Sequence, residues 1–190
     1  MHRTSFASSK KRGFTLLELI VSIGLFTIVV TIAMSAYLAL IELDRKARAT
    51  NDLVSNLSFV VESMSRNIRT GTSYSCGGFS SGPNCWGGGG SNTFSFIDEN
   101  SQQVTYLLTN TGTVGSCVGT SVCNSSSATT LTDPRISVTN LTFYTQGVGT
   151  GDSMQPRVLF TLSGSITPDA HTSPVTFTIE GSATERLIEL

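Results

Sequence analysis

The sequence predicts an α+β protein, one long N-terminal helix, first transmembrane and then amphipathic, packed on a C-terminal antiparallel β-sheet. Three observations predict it. No charged residue occurs from Leu19 to Ile41. A single apolar stripe then continues at helical spacing as far as Ile68. Beyond Gly71 the helical period vanishes, and short runs alternate apolar residues with threonine or serine.

The chain opens with Arg3, Lys10, Lys11 and Arg12, followed by Gly13 and the run Phe14-Thr15-Leu16-Leu17-Glu18-Leu19. The 23 uncharged residues that follow would rise roughly 35 Å as a helix, enough to cross a bilayer core. The basic cluster holds the N-terminus in the cytoplasm by the positive-inside bias, so everything after about residue 42 is expected to be exported. Residues 14–41 are therefore read as the transmembrane half of the helix.

Residues 42–70 are read as its amphipathic half. Leu40, Leu43, Ala47, Thr50, Val54, Leu57, Val61, Met64 and Ile68 alternate steps of three and four, with only Thr50 polar. Asp44, Arg45, Arg48, Asp52, Glu62, Arg66 and Arg69 lie between them and read as a solvated face of mixed sign. No proline precedes Pro83, and Gly71 supplies a stop. A helix from Phe14 to about Arg69 would be roughly 84 Å long. Such a stripe could serve a coiled coil; packing of its outer half on the protein's own sheet, and of its inner half on neighbouring helices, is preferred.

Residues 71–190 are read as one exported, β-rich globular domain. Residues 71–90 are rich in glycine and serine, end in four glycines, and read as a long connecting loop. Thr93 to Ile97 and Val104 to Leu108 flank Asp98-Glu99-Asn100 as a hairpin. Ile136 to Thr145, Arg157 to Leu162 and Val175 to Ile179 read as further strands with one face buried.

The stretch KRGFTLLEL resembles the signal of type IV prepilins and type II secretion pseudopilins at every position that defines it. The resemblance implies a leader of residues 1–13, cleavage by a membrane-embedded prepilin peptidase between Gly13 and Phe14, and N-methylation of Phe14. It also implies other pilin or pseudopilin subunits and an inner-membrane assembly platform as partners, with membrane lipid around the helix. The expected location is a single-pass inner-membrane protein, N-terminus cytoplasmic, that is then drawn into a pilus or pseudopilus. The chemistry of the residues agrees. An ordinary secretory signal is cut after its apolar core, whereas here the cut precedes the core and the helix is kept.

Glu18 is the one acid inside the apolar end. A charge deep in a bilayer costs on the order of 3 kcal/mol on insertion scales. Cleavage after Gly13 would create an ammonium on Phe14, four residues earlier and on the same helix face, and the helix dipole favours an acid in the first turn. In the family the equivalent carboxylate is thought to meet the N-terminal amine of a neighbouring subunit. Carried over residue by residue, this makes Glu18 the assembly contact and Phe14 its partner. The competing reading is a glutamate that snorkels at the membrane surface. Gly24, Ala33, Ala36 and Ala39 would allow close approach of helices in the membrane.

The four cysteines suit an exported domain, where an even count reads as disulfides. Cys76 and Cys85 lie nine apart in the glycine-rich loop, and Cys117 and Cys123 lie six apart in a second loop. Local pairing is the simplest of three connectivities, and all three are open. Zinc is disfavoured because neither spacing is Cys-x-x-Cys and His2 and His171 sit far from the cysteines. Asp98, Glu99 and Asn100 form an oxygen-rich turn, and some pseudopilin relatives bind calcium. The alternating acidic spacing of a dedicated site is missing, and a solvated hairpin tip is preferred. No metal or cofactor is expected.

Enzyme chemistry is not expected. Once His2 leaves with the leader, His171 is the one remaining histidine, in a Pro- and Thr-containing turn. Ser163-Gly164-Ser165 is not a nucleophile elbow, and Gly87 to Gly90 lacks the Lys-Ser/Thr of a phosphate loop. From Gly71 to Leu190 there are three arginines, no lysine and eight acids, a net of −5. Direct nucleic-acid binding by this domain is therefore disfavoured.

Looser similarities narrow the family. LSFVVESMSRNIRT resembles the segment that W-type minor pilins and J-type minor pseudopilins carry before their sheet. VTNLTFYTQG, PRVLFTLSG and VTFTIEGSATERL resemble their closing strands, with Arg186 ending a Thr/Ser-rich strand. The helix-kinking proline of major pilins is replaced by Ser35. The expected function is a minor pilin or pseudopilin that nucleates or caps a fibre. Two other classes stay open: a pilus-tip adhesin that binds a surface through its cysteine-bearing loops, and an exported enzyme on a pilin-like anchor, which would need His171.

Overall fold

In the computed structural model, the described residues are 13–77, 85, 89–120, 122–149, 154–167 and 173–186. Helix α1 runs from Leu16 to Thr70, 55 residues without a break. Among the described residues eight strands follow: β1 (Thr72–Cys76), β2 (Thr93–Ile97), β3 (Gln103–Leu108), β4 (Val114–Val118), β5 (Thr129–Thr130), β6 (Ile136–Gln146), β7 (Arg157–Ile166) and β8 (Val175–Thr184). The chain divides into two compact units at Asp44/Arg45.

The α+β class and the long N-terminal helix are as expected, but the strands form two antiparallel sheets rather than one. The first is five-stranded, in the order β1-β2-β3-β4-β5, and the second is three-stranded, β6-β7-β8. Both are meanders, in which each strand pairs with its neighbour in sequence. The expected hairpin is present: β2 and β3 pair from Thr93↔Leu107 to Ile97↔Gln103. Asp98 closes it, its Oδ1 accepting the amides of Asn100 (2.9 Å) and Gln102 (2.7 Å).

The second unit buries one face of the outer helix. The buried positions are Ala49, Leu53, Leu57, Val60, Met64 and Ile68. The expected stripe is thus right at Leu57, Met64 and Ile68, but Val54 is 56% exposed, and Leu53 and Val60 are the buried neighbours of Val54 and Val61. The reason is periodicity. A repeat of seven suits a supercoiled partner helix, whereas steps of four, four, three, four and four suit a helix lying on a sheet.

Polar contacts fix the register of that helix. Asn67 donates from Nδ2 to the Tyr106 hydroxyl at 3.0 Å. Asn56 Oδ1 accepts the Asp133 amide at 3.3 Å, and Arg135 reaches Asp52 at 3.6 Å. Arg135 also chelates Asp133 from Nε and Nη2, both at 3.1 Å, which holds that carboxyl below the usual range.

Aromatic rings fill the space under the helix. Phe94 lies 5.6 Å from Tyr74 and 5.7 Å from Phe96, and Phe96 lies 5.8 Å from Tyr106. Phe94 also stacks on Phe143 of β6, which packs on Phe160 of β7. The two sheets thereby share one core.

Two further expectations change. The stretch after Gly71 is not all loop, because Thr72–Cys76 forms β1 against β2, with a bulge between Thr72 and Ser75. Cys117 lies in a strand, not a loop. The helix ends where expected, yet Gly71 works through space rather than a left-handed turn: a Cβ there would run into the Phe96 ring.

The face of the first sheet opposite the aromatics is also buried. Ser75, Ser95, Thr105 and Cys117 stand in one row across β1 to β4, and all four are buried. Ser95 and Thr105 satisfy each other at 2.9 Å, so their burial leaves no orphan hydroxyl.

Candidate functional site: the N-terminal signal and its exposed helix

Residues Gly13, Phe14 and Thr15 precede the helix, and all three are exposed. The helix was expected to begin at Phe14; it begins at Leu16 because Thr15 caps it. The Thr15 hydroxyl oxygen accepts the Glu18 amide at 3.3 Å, and the Thr15 carbonyl accepts the Leu19 amide at 3.2 Å. Threonine at the cap with glutamate three residues on is the pattern of a capping box. The Gly13–Phe14 peptide is consequently non-helical, and no Cβ guards it on the Gly13 side. Glycine leaves room there for another molecule to approach the backbone closely.

Glu18 sits in the first turn, where amides not yet bonded within the helix place partial positive charge. Among the described residues its carboxylate has no ion-pair partner. Around and beyond it the helix is apolar and bare. Phe14 is 79% exposed, and Leu16, Leu17, Ile20, Leu25, Phe26, Ile28, Val29, Ile32 and Leu40 are all exposed as well. A bare apolar surface of this length marks contact with lipid or with other protein. This is the one helix long and apolar enough to cross a membrane among the described residues.

Three hydroxyl side chains within the segment bond to the helix itself. Thr27, Thr31 and Ser35 recur every four residues and so form one row. Their hydroxyls donate to the carbonyls of Ile23 (3.0 Å), Thr27 (2.8 Å) and Thr31 (3.0 Å) respectively. In lipid each hydroxyl must find such a partner, and here the helix supplies it. Glu18 is the one charged side chain of the segment from Phe14 to Ile41.

The second unit carries the two disulfides. Cys76 bonds to Cys85 and Cys117 to Cys123, with Cα separations of 6.0 and 5.8 Å. Local pairing is therefore the connectivity present. The first anchors Cys85 against β6, where the Cys85 amide donates to the Thr145 hydroxyl at 3.2 Å. The second lays the Cys123 sulfur near the Thr105 carbonyl, over the buried polar row.

His2, His171, the basic residues Arg3 to Arg12, and Gly87 and Gly88 lie outside the described residues. Among the described residues no three His, Cys, Asp or Glu side chains gather to hold a metal. Sequence reading missed one local feature: the Arg186 amide donates to the Arg69 carbonyl at 2.9 Å, tying the end of β8 to the last turn of α1. An open cleft of about 740 Å³ beside this tie is lined by Arg66, Arg69 and Arg186 together with Glu62 and Glu185. Its mixed sign distinguishes it from a basic nucleic-acid surface.

Residues 8–34 match the family described as the prokaryotic N-terminal methylation motif, the signal of type IV pilins and pseudopilins. The match covers the end of the basic cluster, the Gly13–Phe14 bond, Glu18 and most of the exposed apolar segment. No curated protein and no solved structure matches the chain. At its N-terminus, then, the chain is type IV pilin-like, with a helix suited to a single-pass anchor.

Proposed function

We propose that this protein is a minor pilin or minor pseudopilin, a structural subunit that nucleates or caps a type IV pilus or a type II secretion pseudopilus. The observation that carries the reading is the methylation motif placed on the bare apolar segment of α1, whose one acid, Glu18, lies in the first turn beside an exposed Gly13–Phe14 bond.

In this reading a prepilin peptidase removes residues 1–13 and Phe14 becomes the N-methylated first residue. The basic leader stays cytoplasmic and the second unit is exported. The new ammonium on one subunit meets Glu18 of the next, so that two charges too costly to hold singly in lipid neutralise each other. Helix packing in the fibre then covers the apolar surface. The chain itself performs no catalysis; peptidase, assembly platform and other subunits are separate partners. A low-abundance role is favoured by the lack of a proline at Ser35 and by the W- and J-type likeness of residues 57–70 and of the closing strands.

The test is mass spectrometry of the N-terminus of the chain isolated from its native membrane. The expected first residue is N-methylated Phe14. An intact Met1, or a terminus beyond the apolar segment, overturns the proposal. Deletion of the gene separates roles: loss of fibres or of secretion supports nucleation, whereas normal fibres that no longer adhere would replace it with the tip-adhesin role.

A further inference from the structure

Among the described residues the two sheets present four outer strand edges, and three of them are guarded. β5 is only two residues long. β1 is bulged, has Ser73 at φ 55°, and ends at the Cys76–Cys85 bridge. The outer edge of β6 is already bonded: Phe143 and Ser91 exchange both backbone bonds, at 2.7 and 2.9 Å, and the Val138 amide donates to the Gly112 carbonyl at 2.7 Å. β8 has no such guard. Its ten residues pair with β7 in unbroken register from Val175↔Ile166 to Thr184↔Arg157, without bulge or proline. Among the described residues, no backbone hydrogen bond reaches its free edge. Such an edge is a template for another strand. The inner side of β8 is also unfinished. Val175, Phe177 and Ile179 are half-buried, whereas Val158, Phe160, Leu162 and Ile166 on β7 are buried.

The far end of β8 shows what an added strand would carry. β8 runs out into the arginine-lined cleft, where Ser182 and Thr184 form one wall and Arg69 and Arg186 stand beside them. Arg66 is bound to Glu62 at 2.7 Å. Arg69 and Arg186 are exposed and have no ion-pair partner among the described residues. The Arg186 amide bonds to the Arg69 carbonyl at 2.9 Å, which holds the two residues side by side. Each guanidinium offers a fork of N–H donors that matches a carboxylate. The three arginines against Glu62 and Glu185 give the lining a formal charge of +1, which favours an acid.

We propose that a different protein lays an extended segment antiparallel along the free edge of β8, with carboxylates at the N-terminal end of that segment held by Arg69 and Arg186. This is strand addition, in which backbone bonds supply affinity and side chains supply specificity. The antiparallel direction gives the more stable ladder. Apolar residues of the segment then stand opposite Phe177 and Ile179, and a basic residue opposite Glu180 is favoured. β8 of a second copy does not meet these terms. α1 packs on the same core as β8 between Leu53 and Ile68, so pairing two β8 edges antiparallel would turn one copy's helix against the other's. Chains anchored side by side in one membrane point their helices the same way, and a segment of another protein imposes no such symmetry. The inference uses neither the bare apolar segment nor the Gly13–Phe14 bond, so it and the proposed function fail by different measurements.

The test adds a synthetic peptide of about nine residues, within the usual length of a strand, to the full chain in detergent. The peptide begins with two aspartates, alternates valine with threonine, and places lysine opposite Glu180. It is acetylated and amidated, so that its ends carry no charge. In the chain alone, alternate amides of β8 should exchange hydrogen fast, and the peptide should slow exchange there. Replacing both aspartates by asparagine should weaken binding by about fivefold, the scale of exposed ion pairs. In a chain carrying Arg69→Ala and Arg186→Ala, the aspartate and asparagine peptides should bind equally, because both arginine side chains are exposed and the backbone bond between the two residues survives. A proline at the centre of the peptide should abolish binding. Lack of protection in β8, an aspartate preference that outlives both arginines, equal binding of the proline peptide, or a β8 edge already protected in the chain alone would overturn the proposal.

Discussion

Phe94 of β2 and Phe143 of β6 stack with ring centroids 5.4 Å apart and planes 24° from parallel, and both rings are fully buried. They belong to different sheets, and the backbone beside them repeats the link, because Ser91 bridges to Phe143. One aromatic pair thus joins two meanders that share no extended strand ladder.

Truncating this pair should loosen the whole outer unit. Phe94→Ala or Phe143→Ala is expected to cost about 3 to 5 kcal/mol, a buried aromatic plus its cavity. The double variant should cost less than the sum, since each ring loses the same neighbour. Thermal and denaturant unfolding of the full chain in detergent would measure both. Strict additivity would show that the stacking contributes nothing of its own.

Gly71 should tolerate no side chain. A Cβ would enter the Phe96 ring, and the Ile97 carbonyl lies within 3.2 Å on another side. Gly71→Ala is expected to destabilise by about 1 to 3 kcal/mol through overpacking. Phe96→Leu in the same chain should recover part of that loss, because it removes the obstructing ring edge. A loss unchanged by Phe96→Leu would point instead to the backbone at the helix end.

These contacts show what was legible in the sequence. The hairpin from Thr93 to Leu108 was visible because its inner positions alternate on both sides of a polar Asp98-Glu99-Asn100 turn. β1 and β4 were not. Thr72–Cys76 and Val114–Val118 carry serine, glycine and cysteine where a lone strand would carry β-branched residues, and they form because neighbouring strands offer edges. Ser95 and Thr105 are polar and yet buried, and nothing local in the sequence announces that Cys123 lies beside Thr105. The choice of Val60 over Val61 depended on what the helix packs against, which a stripe does not state. At the N-terminus the opposite holds. The methylation motif was legible at once, because lipid imposes a simple rule on charge and the motif is local.

Alkaline pH should unfold the outer unit through its tyrosines. Burial, and secondarily the negative charge of Glu185, pushes the Tyr74 hydroxyl well above its ordinary range. Burial also raises Tyr106, against a smaller opposing effect of the Asn67 hydrogen bond. The folded state therefore holds these protons longer than the unfolded chain. Their contribution is fully present below about pH 10, the unfolded value, and is lost as pH rises above it. Near-ultraviolet titration of the chain's four tyrosines should show two that ionise only as the fold is lost. Four tyrosines ionising together before unfolding would contradict this.

The disulfides should stabilise rather than create the fold. They close spans of nine and six residues, for which loop entropy predicts about 2 to 3 kcal/mol each. Cys117→Ala with Cys123→Ala should also admit solvent to the Ser95–Thr105 pair, whereas Cys76→Ala with Cys85→Ala should free Cys85 from Thr145. Amide hydrogen exchange would separate them: faster exchange in β2 and β3 for the first, and near residue 85 for the second. Equal, global acceleration in both would argue against local stapling.

The Glu18 prediction distinguishes charge from mere polarity. Before cleavage, Phe14 lies outside the helix and Thr15 caps it, so the amine that would neutralise Glu18 does not yet exist. Blocking cleavage with a bulky residue at Gly13 and removing the acid with Glu18→Gln should therefore stop assembly at different steps. The Gly13 variant should accumulate with its leader attached. Glu18→Gln should be cleaved normally, because its backbone and cap are untouched, yet enter fibres poorly, because a neutral amide leaves the neighbour's ammonium unpaired in lipid. Glu18→Asp, which keeps the charge on a shorter arm, should restore part of the incorporation. Immunoblots for leader removal, alongside fibre yield, read the two steps separately. If Glu18→Gln assembled as well as the parent chain, the carboxylate would be a surface group at the membrane boundary, and the exposed apolar helix alone would have to drive assembly.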